Sequence, residues 1–165
     1  MISKGQKIPS VTIKQVTAEG GADVDPAVLF ADKKVVMFSL PGAFTPTCSQ
    51  KHLPSYLAKL DELKAAGVDL VACLSVNDVF VMKAWAEQND ALGKIVMLAD
   101  GSGVFTKALG IELDLTTRGL GVRADRGVMT IDNGVVTSID MEAPGKFEVS
   151  SAEACLIGLK SAVHM

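Results

Sequence analysis

The chain has 165 residues, 48% hydrophobic, 21% charged and 5% aromatic, with a formal net charge of −3. That length and apolar share suit one compact domain over residues 1–165, with a core built from aliphatic side chains. A slightly acidic chain without a Lys/Arg run is a poor partner for nucleic acid or anionic lipid, and no stretch approaches the roughly 18 apolar residues of a membrane span.

In chain order, residues 11–16 predict a first strand, and Asp25-Pro26 opens a short helical turn that runs through Phe30. The apolar run at residues 35–40 predicts a strand buried on both faces. Pro41-Gly42 ends it. A helix is predicted over residues 49–66, with Leu53, Leu57 and Leu60 at helical spacing, a kink at Pro54 and a stop at Gly67. Residues 68–76 form a second buried strand. Asn77 or Asp78 caps a helix running to about Asn89. Residues 95–98 are a third strand, followed by an Asp100-Gly101-Ser102-Gly103 turn and a short helix over 104–109. Residues 116–126 have weak periodicity and read as loop. Asp132-Asn133-Gly134 lies between two apolar runs, 128–131 and 135–140, which is a strong hairpin signal. Ser150-x-x-Glu153 reads as a capping box for a last helix whose apolar face carries Ala152, Cys155, Leu156, Leu159 and Val163. The order gives βαβ units with parallel strands plus an antiparallel hairpin. The fold class is α/β: a thioredoxin-like mixed sheet with helices on both faces.

Cys48 is the candidate reactive residue. It follows a strand and opens a helix, where the positive end of the helix dipole favours thiolate, the nucleophilic form. Arg123 and Arg126, just before the hairpin, are the candidate cations beside it. Thr45, on the same tight turn, can both donate and accept a hydrogen bond. Pro41 and Pro46 stiffen the turn. The bland alternative for Cys48 is an inert buried thiol. Cys73 and Cys155 read as packing in a core strand and on a helix face. His52 lies four residues after Cys48, on the same helix face. It reads as a group that positions its neighbours, as plain surface or, less naturally, as a general base. Phe80 and Trp85 read as core or edge packing, and Asp61-Glu62 as a solvated face. Three cysteines are not a disulfide framework, and two histidines are too few for most metal sites. No metal and no cofactor are expected. Met1-Ile2-Ser3-Lys4-Gly5 lacks the apolar run of a secretory leader. A cytoplasmic location is therefore expected, with an organellar one after transit-peptide removal as the alternative.

Pro41-x-x-x-Thr45-x-x-Cys48 resembles the active-site motif of peroxiredoxins. The runs from Pro41 to Ser49, His52-Leu53-Pro54 and Ala72-Cys73-Leu74-Ser75-Val76-Asn77-Asp78 are similar to the type II, or atypical two-cysteine, subfamily. The resemblance implies a thiol-dependent peroxidase that reduces hydrogen peroxide and alkyl hydroperoxides. Cys48 would attack the O–O bond and become a sulfenic acid. Thr45 and Arg126 would bind the peroxide and stabilise the departing oxygen, with Pro41 and Phe44 beside the substrate. Arg123 matches a second family Arg. The resemblance also implies a homodimer, with the Cys48 loop and the helix carrying Phe80 near its interface. Some members carry a resolving cysteine near the start of the last helix, where this chain has about Ser150, and others carry a second cysteine at the position of Cys73. An outside thiol (glutaredoxin, glutathione or thioredoxin) is the expected reductant, with Cys73 the weaker internal candidate. Two other readings stand beside this one. One is a Cys48–His52 acyl-transfer enzyme or thiol hydrolase. The other is a non-enzymatic redox sensor or holdase that signals through Cys48 oxidation.

Overall fold

The structure, a computed structural model, describes residues 1–163. Nine strands and six α-helices are present among them. β1 (Ile13–Thr17) and β2 (Gly20–Val24) form an antiparallel edge pair. The centre comprises β3 (Lys34–Ser39), β4 (Leu70–Ser75) and β5 (Val96–Ala99), paired in parallel. β8 (Gly127–Asp132) and β9 (Val135–Met141) complete the sheet on the other side of β3. The order is β2-β1-β5-β4-β3-β8-β9. This is the mixed, thioredoxin-like sheet expected.

Alternation along β3 builds two cores. Val36 and Phe38 face one cluster, while Val35 and Met37 face the other. The first is covered by α2 (Leu53–Ala58), α3 (Leu60–Ala65), α4 (Val79–Gln88) and α6 (Ala152–Val163). The second lies under α1 (Pro26–Leu29), where Phe30 is buried, and α5 (Val104–Leu109). Helices therefore cover both faces. The side chain of Val163, expected on the apolar face of α6, lies outside the described residues.

Four expectations need correction. The helix predicted over 49–66 is three pieces: a π-helical turn at Cys48–His52, then α2, then α3 after a break at Lys59. Pro54 lacks an N–H, and its ring crowds the carbonyl one turn back, so the turn before it widens. Residues 116–126 are not simply loop. β6 (Glu112–Leu115) and β7 (Gly121–Ala124) form a small separate ribbon around a 3-10 turn at Thr116–Arg118. The polar–apolar alternation of Glu112-Leu113-Asp114-Leu115 was its signal. Gly119 (φ 73°) and Gly121 (φ 70°) take left-handed conformations at the turn, which hides the strand pattern. The capping residue of α6 is Ser151, whose Oγ accepts from Ala154 N at 3.1 Å. Ser150 is engaged elsewhere. Phe80 does not pack inside; it is 78% exposed, whereas Trp85 on the same helix is fully buried.

The hairpin turn is as expected: Asn133 (φ 49°) and Gly134 (φ 79°) are both left-handed, as a type I′ turn requires.

Candidate active site

Two adjacent strands end at the candidate site. β3 runs out at Ser39, which pairs with Gly127 at the start of β8. The residue before Gly127 is Arg126, so antiparallel pairing delivers a guanidinium to the turn after β3. Ser39 Oγ donates to Asp125 O at 2.7 Å and fixes the approach. A Cβ on Gly127 would lie 2.2 Å from Met141 Sδ, so glycine leaves the room that Met141 fills.

Arg126 then spans the site. Its Nη2 donates to Cys48 Sγ at 3.0 Å, and its Nη1 meets His52 Nδ1 at 2.9 Å. Cys48 has no exposed surface. The sulfur is therefore fully buried yet held by a charge-bearing donor rather than by aliphatic packing alone. Arg123 sits behind the turn. Its Nη1 donates to Pro41 O and Val76 O, each at 3.3 Å, and its Nε to Leu120 O at 2.8 Å. It braces the Pro41 turn and makes no hydrogen bond to the sulfur. Gly42 lies against it: a Cβ there would come within 2.8 Å of Arg123 Nη1.

Thr45 Oγ1 donates to Gly42 O at 2.6 Å. With its proton committed, the oxygen's lone pairs remain to accept from a substrate hydroxyl. Trp85 Nε1 donates to Ser49 Oγ at 3.0 Å and pins the residue next to Cys48 onto α4.

A groove of about 400 Å³ opens in front of these groups. Pro41, Thr45, Pro46 and Arg126 are among its lining residues, and Leu113, Leu115 and Leu120 give it apolar side chains. Phe44, expected beside the substrate, is not among the lining residues. It is 49% exposed and holds a left-handed backbone (φ 65°).

His52 is neither surface nor a base for Cys48. It is fully buried, with Nε2 at 3.1 Å from Ser150 O. Burial above all, and then the charge of Arg126, lower its pKa to about 3. A neutral ring with a carbonyl at Nε2 carries its proton there, so Nδ1 accepts from Arg126. Both nitrogens are committed, and neither is free to take a thiol proton. That removes the Cys48–His52 hydrolase arrangement.

Cys73, on β4, is fully buried, and burial first, then the charge on Cys48, push its thiol well above the usual cysteine range. Cys155 on α6 is pushed up to about 11, chiefly by burial. Neither environment favours a thiolate. All three cysteines are free.

Two groups had no signature in the sequence. Tyr56 donates its hydroxyl to Ser150 O at 2.7 Å and stacks on Phe38, with centroids 4.1 Å apart. Glu142, just past β9, gathers the backbone of residues 148–150 around its carboxylate. Tyr56 and Ser150 are 94 residues apart, and Glu142 meets a loop six to eight residues further on at no regular helix or strand spacing.

The Redoxin family matches residues 3–156. The chain is 45% identical over 162 residues to "Peroxiredoxin-2E, chloroplastic" of Arabidopsis thaliana, covering 96% of this chain and 69% of the relative. It is 50% identical over 131 residues to "Peroxiredoxin-2B" of the same plant, covering 79% and 81%. Among solved structures it resembles reduced Prx3 from Vibrio vulnificus in complex with H2O2, with 53% identity, a TM-score of 0.94 and full coverage of both chains.

Proposed function

The chain belongs to the peroxiredoxins of the Redoxin family and is a thiol-dependent peroxidase; on that premise, we propose that Cys48 is the sulfur that attacks the peroxide. The supporting observation is the single guanidinium of Arg126, 3.0 Å from Cys48 Sγ and also lining the groove. The thiolate takes one oxygen and becomes a sulfenic acid, while the O–O electron pair leaves on the other oxygen as water or an alcohol after protonation. Arg126 stabilises charge on the sulfur beforehand and on the departing oxygen as it forms. Thr45 accepts the peroxide hydroxyl. Pro41, in the groove lining, presents no backbone N–H to the reacting oxygens.

Hydrogen peroxide and alkyl hydroperoxides are the proposed substrates, the latter lying along Leu113, Leu115 and Leu120. An outside thiol, from glutaredoxin, glutathione or thioredoxin, is the proposed reductant, because burial disfavours the thiolates of Cys73 and Cys155. A homodimer is proposed, with the exposed Phe44 of the Cys48 loop and Phe80 of α4 near its interface. Residues 1–165 are proposed to act as one domain. A cytoplasmic location is proposed, with an organellar one as the alternative suggested by the chloroplastic relative.

The test is direct. Reduced protein is mixed with stoichiometric hydrogen peroxide and followed by mass. A fast gain of one oxygen, abolished in Cys48→Ser, is expected. Oxidation no faster than that of a free thiol would overturn the assignment. Fast oxidation without turnover on any thiol donor would point to the sensor reading.

A further inference from the structure

We propose that Glu142 is a positioning residue of the peroxidase site, holding the Arg126 guanidinium on Cys48 through Ser150 and His52. The inference rests on the assignment of Cys48 and Arg126 above.

The Glu142 carboxylate accepts from Glu148 N at 2.9 and 2.8 Å, Val149 N at 3.2 Å, Ser150 N at 2.9 Å and Ser150 Oγ at 2.6 Å. These bonds fix Ser150, which is fully buried, and so the direction of its carbonyl. That carbonyl accepts from Tyr56 Oη and His52 Nε2, which uses both of its lone pairs. The proton on Nε2 makes Nδ1 an acceptor, and Arg126 Nη1 donates to it. A guanidinium is planar and rigid, so anchoring Nη1 also aims Nη2, the group on Cys48 Sγ. Glu142 grips the other end too: its backbone N donates to Arg126 O at 2.9 Å. The ring of bonds closes on itself and leaves the guanidinium little freedom.

Glu142 also lines the groove. Its oxygens are saturated by these donors, which argues against direct substrate binding. A purely structural role, closing loop 143–150, is the competing explanation. The two differ in one respect: only the positioning role requires Arg126.

The experiment is a double-mutant cycle on the full chain. Rates of Cys48 oxidation by hydrogen peroxide are measured for native, Glu142→Gln, Arg126→Ala and the double variant. A glutamine would place an N–H₂ against backbone N–H donors. Glu142→Gln should slow oxidation about tenfold, the scale of coupling inside one hydrogen-bond network. In the Arg126→Ala background the same change should cost less than about twofold. ¹⁵N NMR of His52 should show the single Nε2–H tautomer in the native chain and tautomer averaging in Glu142→Gln. Ser150→Ala, which deletes only the hydroxyl donor, provides a milder second cycle should Glu142→Gln not fold; it should slow oxidation only when Arg126 is present. Equal losses in both backgrounds, or no loss at all, would overturn the inference while leaving the Cys48 assignment intact. Slow oxidation of the native chain would overturn both.

Discussion

Replacing Arg126 with alanine removes the one cation hydrogen-bonded to the sulfur among the described residues. Full unit charges 3.0 Å apart would attract by about 5.5 kcal/mol at an effective dielectric near 20. Whatever part of that attraction is already present before attack gives no gain in rate. Arg126 is half-buried, so water replaces some of the lost contact. A hydrogen bond to a charged group contributes about 1.5–3 kcal/mol net. At about 1.4 kcal/mol per decade, Arg126→Ala should slow attack on hydrogen peroxide by roughly 10- to 100-fold. The sole tryptophan is the reporter: Trp85 is bonded to Ser49, next to Cys48, so stopped-flow emission should follow the sulfur's oxidation. Arg126→Lys should fall in between, because an ammonium cannot reproduce the planar fork to His52 and Cys48. If Arg126→Ala reacts within about threefold of native, the guanidinium is a structural brace and the electrostatic account fails.

Further outcomes concern acid stability, the other thiols and the turn. His52 titrates near 3 in the fold and near 6.5 unfolded, so its contribution is intact above 6.5 and drains away as pH falls toward 3. At pH 5 that loss is about 2 kcal/mol (1.5 pH units at 1.36 kcal/mol each), and urea unfolding of His52→Gln should show a flatter profile between pH 7 and 5. Glu142 titrates lower in acid: burial alone would raise its carboxyl, but the bonds from Ser150, Glu148 and Val149 outweigh it and hold it below the usual range. Its stabilisation is complete above about 4.5 and disappears as pH drops through the depressed value, so melting temperatures below pH 4.5 should drop more steeply for native than for Glu142→Gln. Cys73→Ala and Cys155→Ala should keep most glutaredoxin-coupled turnover in a steady-state assay; collapse in either would reveal an internal resolving disulfide. Gly42→Ala should push Arg123 off the Pro41 and Val76 carbonyls and slow peroxide attack several-fold; an unchanged rate would mean that the turn holds its shape without that brace.

What was legible from the sequence was whatever local chemistry dictates. Asn133-Gly134 must turn, Asp78 caps α4 by accepting from Val81 N, and the run from Pro41 to Cys48 marks a reactive turn. β2 was invisible because Gly20-Gly21-Ala22-Asp23-Val24 has little strand propensity and is held by pairing with β1. Ser150 and Ser151 compete for the same cap, and only the carboxylate of Glu142 decides between them. His52 shows the limit most clearly. Its spacing from Cys48 suggested a shared face, yet its protonation and partners depend on β8 and on loop 143–150, far away in the chain.

The widened turn at Cys48–His52 has a consequence for catalytic cycling. Once the sulfur carries an oxygen, a reducing thiol must approach from the side opposite that oxygen, and the sulfur has no open surface. On the proposed role of Cys48, this stretch would uncoil first, at the over-wide turn ahead of Pro54. Tightening it into a regular helix would therefore yield a tougher protein that disarms one peroxide quickly and then waits, spent, for rescue.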